Sequence, residues 1–178
     1  MDTPIRQLKS SLVYSGSKLQ IYEDELQLPS ERILKRERVV HPGAVVILPI
    51  MSDGRIVFIR QYRHAIKQFL LELPAGTLEK DELPEVCAHR EIMEEIGFRA
   101  KTWLSLGVLY PAPGFCDEVQ YLFLAQELTP EVRPADEDEF IELQTMTKEE
   151  TQKAICQGEL NDAKSIAILA RAEALGHL

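Results

Sequence analysis

The chain has 178 residues, 45% hydrophobic and 28% charged, with a formal net charge of −9 at pH 7. This suffices for one domain with a substantial core. The acidic balance excludes a general nucleic-acid binder, because a phosphate backbone demands a basic footprint. Cys87, Cys116 and Cys156 show neither zinc spacing nor a disulfide framework, which suits a reducing compartment. The N-terminal MDTPIRQLKS lacks an apolar core of signal-peptide length, and no segment approaches a membrane span. A cytoplasmic protein with no membrane partner is therefore expected.

In chain order, SSLVYSG, KLQIYEDELQLP and RILKRERVV are short alternating runs that read as strands, with Pro29 and Ser30 turning between the second and third. GAVVILPI and RIVFIRQYR flank Asp53-Gly54, a hairpin signal, and both are rich in branched residues, as central strands are. LLELPAG is a strand stopped by Pro74. The spacing then predicts a helix that starts at Pro84, where a missing N–H is harmless, and ends before Gly97. WLSLGVLYP and EVQYLFLAQEL follow as strands around the loop PAPGFCDE, and the acidic ADEDEF leads into a last strand, FIELQTM. Two helices close the chain. One runs from Thr147 to about Gln157 with Thr147 and Glu150 as a capping box; the other runs from about Asp162 to Leu175. The pattern predicts an α+β domain or a sandwich of helices around a sheet.

The helix beginning at Pro84 carries Glu91, Glu94 and Glu95 within five positions. Residues three or four apart share a helix face, so these carboxylates project together. Val86, Met93 and Ile96 are expected on the face that packs. Arg90 lies one turn before Glu94 and can pair with it. Such a face is either solvated and laced with Arg90 and Lys101 or a set of oxygen ligands suited to Mg²⁺ or Mn²⁺.

The spacing of the whole stretch decides between them. Gly76, Glu82, Arg90-Glu91, Glu94-Glu95 and Gly97 stand where the signature of the Nudix hydrolases has them. The chance of such a coincidence is on the order of 10⁻⁸ per starting point at average composition. Over about residues 40–175 the chain resembles that family, which implies an α/β/α sandwich with a mixed sheet and a small N-terminal antiparallel sheet. It also implies hydrolysis of a nucleoside diphosphate linked to another group, with Mg²⁺ or Mn²⁺. By the same resemblance Glu91 and Glu95 are the leading metal ligands, Glu94 comes close behind, and the Ala75 carbonyl is a further ligand. Arg90, Glu94 and Glu95 serve catalysis. Glu82 either supports the loop and metal shell or pairs with a nearby arginine.

HPGAVVILPI, FIRQYRHAI, LELPAG and YPAPGFCDE resemble the ADP-ribose pyrophosphatase branch, with Pro113 at its expected distance after the signature. Related hydrolases of nucleoside diphosphate sugars such as GDP-mannose share these segments. The resemblance implies that Arg63 contacts the diphosphate, a role suited to a guanidinium fork, and that Glu72 lines the same cleft or binds ribose hydroxyls. Pro113, Gly114, Phe115 and Glu118 are expected at the distal sugar. Glu139, with Glu137 and Asp138 as neighbours, is the candidate for a loop carboxylate that accepts the proton of the attacking water or binds metal. His64 and Cys116 read as ordinary surface and loop residues. Residues 1–40 form a separate N-terminal unit. The same resemblance implies that its sheet pairs or swaps between subunits of a homodimer and walls part of the base pocket, with Arg38 or Tyr22 either reaching the base or serving as packing or exposed-strand residues. Residues 41–178 form the hydrolase domain. Retention of Arg90 and the three glutamates favours an enzyme over a Nudix-fold regulator that only binds nucleotide.

Overall fold

In the run AVVILP, Ala44–Pro49 (β4), every residue is buried. Alternate side chains of a strand face opposite ways, and here each face meets its own core. Val45 and Ile47 pack with Val57, Ile59 and Phe123 on one side, while Val46 and Leu48 pack with Phe58, Leu122 and Leu124 on the other. A strand buried on both faces reads as a continuous apolar run, as this one does.

The computed structural model describes residues 4–17, 19–131 and 141–178. These fall into two compact units: Ala44–Leu109 with Gln120–Leu178, and Met1–Gly43 with Tyr110–Val119. The larger unit holds β4, β5 (Ile56–Arg63), β6 (Gln68–Glu72), β7 (Ala75–Thr77), α1 (Pro84–Ile96), β8 (Phe98–Leu109), β9 (Gln120–Pro130), β10 (Ile141–Met146), α2 (Lys148–Gln157) and α3 (Ala163–Ala174). One sheet has the order β7-β4-β9-β8, mixed because β4 runs parallel to β9 while the other pairs are antiparallel. A second, antiparallel sheet has the order β10-β5-β6. The core containing Val45 and Ile47 is closed by Cys87, Ala88, Ile92 and Ile96 of α1. The core containing Val46 and Leu48 is closed by Ala154 of α2 and by Ile168, Leu169 and Ala172 of α3. This is the expected sandwich of helices around strands.

Helix ends follow their local chemistry. Pro84 opens α1, and Gly97 closes it in the left-handed region at φ 68°, its N–H donating to Met93 O. That conformation is cheap only without a Cβ. Thr147 and Glu150 form the expected reciprocal capping box on α2, and Asp162 caps α3 by accepting from Ser165 N–H.

Two local expectations are corrected. The Asp53-Gly54 turn forms, with Met51 N–H donating to Arg55 O and Ile50 bridging Ile56, but the hairpin stops there. β4 pairs with β7 and β9, whereas β5 pairs with β6 and β10. A tight turn reverses the chain; the six-residue parallel register of β4 on Gln120–Ala125 then takes the strand's edge. Val86 is 55% exposed rather than packed. Ile92 anchors the buried stripe, and Val86 lies about 120° around the helix from it at 100° per residue.

In the smaller unit, β1 (Arg6–Ser15), β2 (Gln20–Gln27) and β3 (Ile33–Val40) form an antiparallel sheet in that order. Its organising group is buried Asp24, whose carboxylate accepts from Ser10 Oγ at 2.5 Å and Arg38 Nε at 3.0 Å. The Ser10 hydroxyl first and Arg38 second hold that carboxyl below its usual range. Arg38 also reaches Asp117 Oδ2 at 3.2 Å and stacks over Tyr22, while Asp117 Oδ1 accepts His41 N–H at 2.9 Å. Arg38 and Tyr22 are thus engaged with each other. Among the described residues no helix is long and apolar enough to cross a membrane.

Candidate active site

The strand-to-helix passage from β7 to α1 brings Ala75, Gly76, Glu82, Arg90, Glu91, Glu94 and Glu95 together. Glu91 sits on the buried stripe of α1 beside Cys87, Ala88 and Ile92. It is accommodated because Gly76 has no side chain: a Cβ built there would overlap the Glu91 carboxyl group. One turn on, Glu95 Oε2 accepts the Ala75 N–H at 2.9 Å. Two carboxylates from successive turns therefore lie against adjacent residues of one strand. The helix fixes their spacing and the glycine fixes their depth.

Arg90 binds three carboxylates at once. Its Nε and Nη2 donate to the two oxygens of Glu82 at 3.0 and 2.9 Å, and Nη1 donates to Glu91 Oε1 at 2.6 Å and Glu94 Oε2 at 3.0 Å. Glu82 also accepts Glu79 N–H at 2.9 Å, so it both supports the loop and pairs with an arginine. Arg90 pulls the Glu82 pKa down to about 2, and Glu82 in turn raises that of Arg90. Glu94 occupies the exposed flank of α1. Lys101 pairs with Glu127 and does not lace the acidic face. Cys87 touches Arg90, but burial pushes its thiol up to about 12, which leaves it protonated and inert.

Glu82, Glu91, Glu94 and Glu95 against Arg90 leave a formal excess of three negative charges around the passage from the loop before α1 into that helix. Oxygen donors with excess negative charge suit a hard divalent cation, and Mg²⁺ is usually held by one or two carboxylates while water and substrate oxygens complete its shell. Glu91 and Glu95 supply that number. Among the described residues no three His, Cys, Asp or Glu side chains form a group placed to hold a metal ion by themselves.

A second group forms in the same unit. Arg63 Nε and Nη2 donate to Glu72 Oε1 and Oε2, both at 2.7 Å. Glu72 is completely buried, and it raises the Arg63 pKa, with further contributions from the charges of Glu95 and Asp162. Arg63 thus lies within electrostatic reach of Glu95. His64 is exposed, as expected. Pro113, Gly114, Phe115 and Glu118 belong to the smaller unit, where Phe115 O accepts Val39 N–H at 2.8 Å. Cys116 follows in that loop, its N–H donating to Ala112 O. Glu137, Asp138 and Glu139 lie outside the described residues.

Asp162, Lys164 and Ser165 were not legible as site residues. Lys164 pairs with Glu72 across 92 positions and with Asp162 Oδ2 at 3.0 Å. The N-cap pattern places Asp162 at a helix start, but no local signal names a partner so distant in the chain.

Comparisons with known proteins accord with this geometry. The NUDIX domain family matches residues 40–167. The chain is 41% identical over 155 residues to an ADP-ribose pyrophosphatase of Bacillus subtilis (strain 168), covering 86% of this chain and 84% of that protein. It is 36% identical over 161 residues to a methanol dehydrogenase activator of Bacillus methanolicus, covering 89% and 87%. The crystal structure of an ADP compounds hydrolase superposes with a TM-score of 0.86 over 99% of this chain and 98% of that one; at 23% identity this speaks to the fold. The matched signature, its seating on the strand backbone and these relatives together mean that the chain belongs to the Nudix hydrolase family and resembles its ADP-ribose pyrophosphatase branch.

Proposed function

We propose that the protein hydrolyses the diphosphate bond of ADP-ribose and related nucleoside diphosphate sugars, giving a nucleoside monophosphate and a sugar phosphate, with Mg²⁺ or Mn²⁺. The observation that carries this reading is the seating of Glu91 and Glu95 against Ala75–Gly76. A divalent cation bound there would offset the diphosphate charge and lower the pKa of a bound water. Glu91 and Glu95, with the Ala75 carbonyl, are the residues to hold it, and Glu94 joins them from the exposed flank. Arg90 orients Glu91 and Glu94 by its shared Nη1 contacts. Arg63 grips the diphosphate with the donors that Glu72 does not use. Glu139, or Glu137 as second choice, accepts the proton of the attacking water, a task a loop can perform as it closes. The substrate contacts that resemblance assigns to Pro113, Gly114, Phe115 and Glu118 belong to the same proposal, whereas Glu72, completely buried and bonded by Arg63 and Lys164, acts through Arg63 and does not touch substrate itself. So does a cytoplasmic setting.

A homodimer through residues 1–40 completes the reading. Leu8, Leu12 and Tyr14 of β1 are 42%, 51% and 57% exposed, and a second copy would cover an apolar edge of this kind.

The test is phosphate release in a coupled phosphatase assay with Mg²⁺ or Mn²⁺ on ADP-ribose, ADP-glucose, UDP-glucose, GDP-mannose, dinucleoside polyphosphates and nucleoside triphosphates. A marked kcat/KM preference for ADP-ribose supports the narrow reading. Comparable rates on several nucleotide sugars make it a general hydrolase of that class. No turnover with either metal would overturn the proposal in favour of a binding module.

A further inference from the structure

The Arg63–Glu72 pair does not end at Glu72. A carboxylate with no exposure at all requires compensation beyond one half-exposed arginine. Lys164 Nζ supplies it, bonding Glu72 Oε2 while also donating to Asp162 Oδ2 at 3.0 Å. Asp162 is fixed in turn as the N-cap of α3, accepting from Ser165 N at 3.0 Å and Ser165 Oγ at 2.6 Å. The same Ser165 oxygen accepts the N–H of Leu73 at 2.7 Å. The first turn of α3 therefore grips neighbouring residues twice, at the side chain of Glu72 and at the backbone of Leu73. The next link is Pro74, whose carbonyl accepts Ile47 N–H at 2.9 Å, and then comes the Ala75–Gly76 cradle.

We propose that Lys164 is a positioning residue: with Asp162 it pins the Glu72 carboxylate so that Arg63 is presented to the substrate diphosphate in one orientation. The proposal rests on Arg63 being the diphosphate contact. Geometry is one half of the argument. A guanidinium has five N–H donors in a rigid fork, and a bidentate carboxylate that cannot rotate fixes where the remaining donors point. Arg63 keeps its side chain 39% exposed, so its outer edge faces solvent. Charge is the other half. If Glu72 answered only to Arg63, the two would cancel and leave little field for an anion. Lys164 shares the Glu72 charge, and Asp162 is offset in part by the roughly half-unit positive charge at the N-terminus of α3, so the Arg63 charge is neutralised less completely than in an isolated pair. Supporting groups of this kind decide whether a binding constellation is held tightly enough to work.

The experiment is a kinetic double-mutant cycle on the full chain with ADP-ribose and saturating Mg²⁺, alongside thermal unfolding of each variant. Lys164→Met is expected to raise KM about tenfold with kcat within about threefold, and Lys164→Arg to recover KM to within about threefold of wild type. In an Arg63→Ala background, Lys164→Met is expected to change KM less than about twofold, because its route of action is gone. A lysine that merely held the fold together would lower Tm and shift kinetics equally in both backgrounds, and that result overturns the proposal. Should Lys164→Met fail to fold, Lys164→Gln keeps one donor to Glu72 without the charge; an unchanged KM there also overturns it. Calorimetric binding of inorganic pyrophosphate with Mg²⁺ repeats the comparison without turnover, with about tenfold weaker binding expected for Lys164→Met only when Arg63 is present. Wild-type protein that hydrolyses no substrate removes the activity reading alone, and the pyrophosphate comparison then still decides Lys164.

Discussion

The Glu91 carboxyl group fills the space that a side chain at Gly76 would occupy. Gly76 lies in β7 without a positive φ, so its backbone does not demand glycine; the neighbouring carboxylate does. The first residue of the signature and its first paired glutamate are one steric unit, separated by fifteen positions in sequence.

Gly76→Ala therefore displaces Glu91 rather than straining the strand. Activity is expected to fall at least about a hundredfold, as when a catalytic group is misplaced by an ångström. Overpacking is expected to cost about 1–3 kcal/mol of stability. Steady-state kinetics and a denaturant melt on the same preparation check both. Unimpaired turnover would show that Glu91 need not occupy its seat.

Glu95→Gln is expected to abolish turnover, with kcat down by about a thousandfold or more, while Tm changes little. The amide oxygen of glutamine can still accept the Ala75 N–H that Glu95 accepts at 2.9 Å, so the fold keeps its bond and the site loses its charge. Comparable kcat in the variant and the wild type would remove the proposed mechanism.

For the water-activating group, Glu139→Gln is expected to lower kcat by about a hundredfold or more with little change in KM, whereas Glu137→Gln stays within a few-fold of wild type. The two variants measured side by side decide the assignment. A large loss in Glu137→Gln alone would transfer the role to that residue.

The Arg90–Glu82 pair makes a stability prediction with a definite sign. Pairing holds the folded-state pKa of Glu82 near 2, below its ordinary 4.5. The charged form is thus favoured in the native state, so its contribution is complete above about pH 4.5 and is lost as pH falls toward 2. Glu82→Gln is expected to cost about 2 kcal/mol at pH 7, in the range for hydrogen bonds to charged groups. That deficit should shrink as pH falls from 4.5 to 2. Urea melts of both proteins in chelator across this range measure it, and a deficit that grew on acidification would contradict the pairing.

Much of this was written locally. Pro84 and Gly97 bound α1, Thr147 with Glu150 starts α2, and the glutamate spacing sets the cradle, because helix starts, helix stops and faces depend on residues a few positions apart. Branched residues marked β4 and β5 as strands, yet the turn between them could not say which sheet each would join. That was decided by β9, some seventy-five residues beyond β4, whose parallel register is a non-local event. The packing face of α1 was misjudged at Val86 for a similar reason: periodicity defines several candidate stripes, and contact with the sheet selects one. The network that holds Glu72 was also out of reach, since its partners Lys164 and Ser165 arrive from a helix that only chain folding brings to β6. Sequence by itself determined the acidic signature, its helix and the family. Tertiary structure alone decided that Gly76 exists to seat Glu91 and that Arg63 is anchored through a buried carboxylate, because steric fit and charge compensation act between atoms close in space, whatever their separation along the chain.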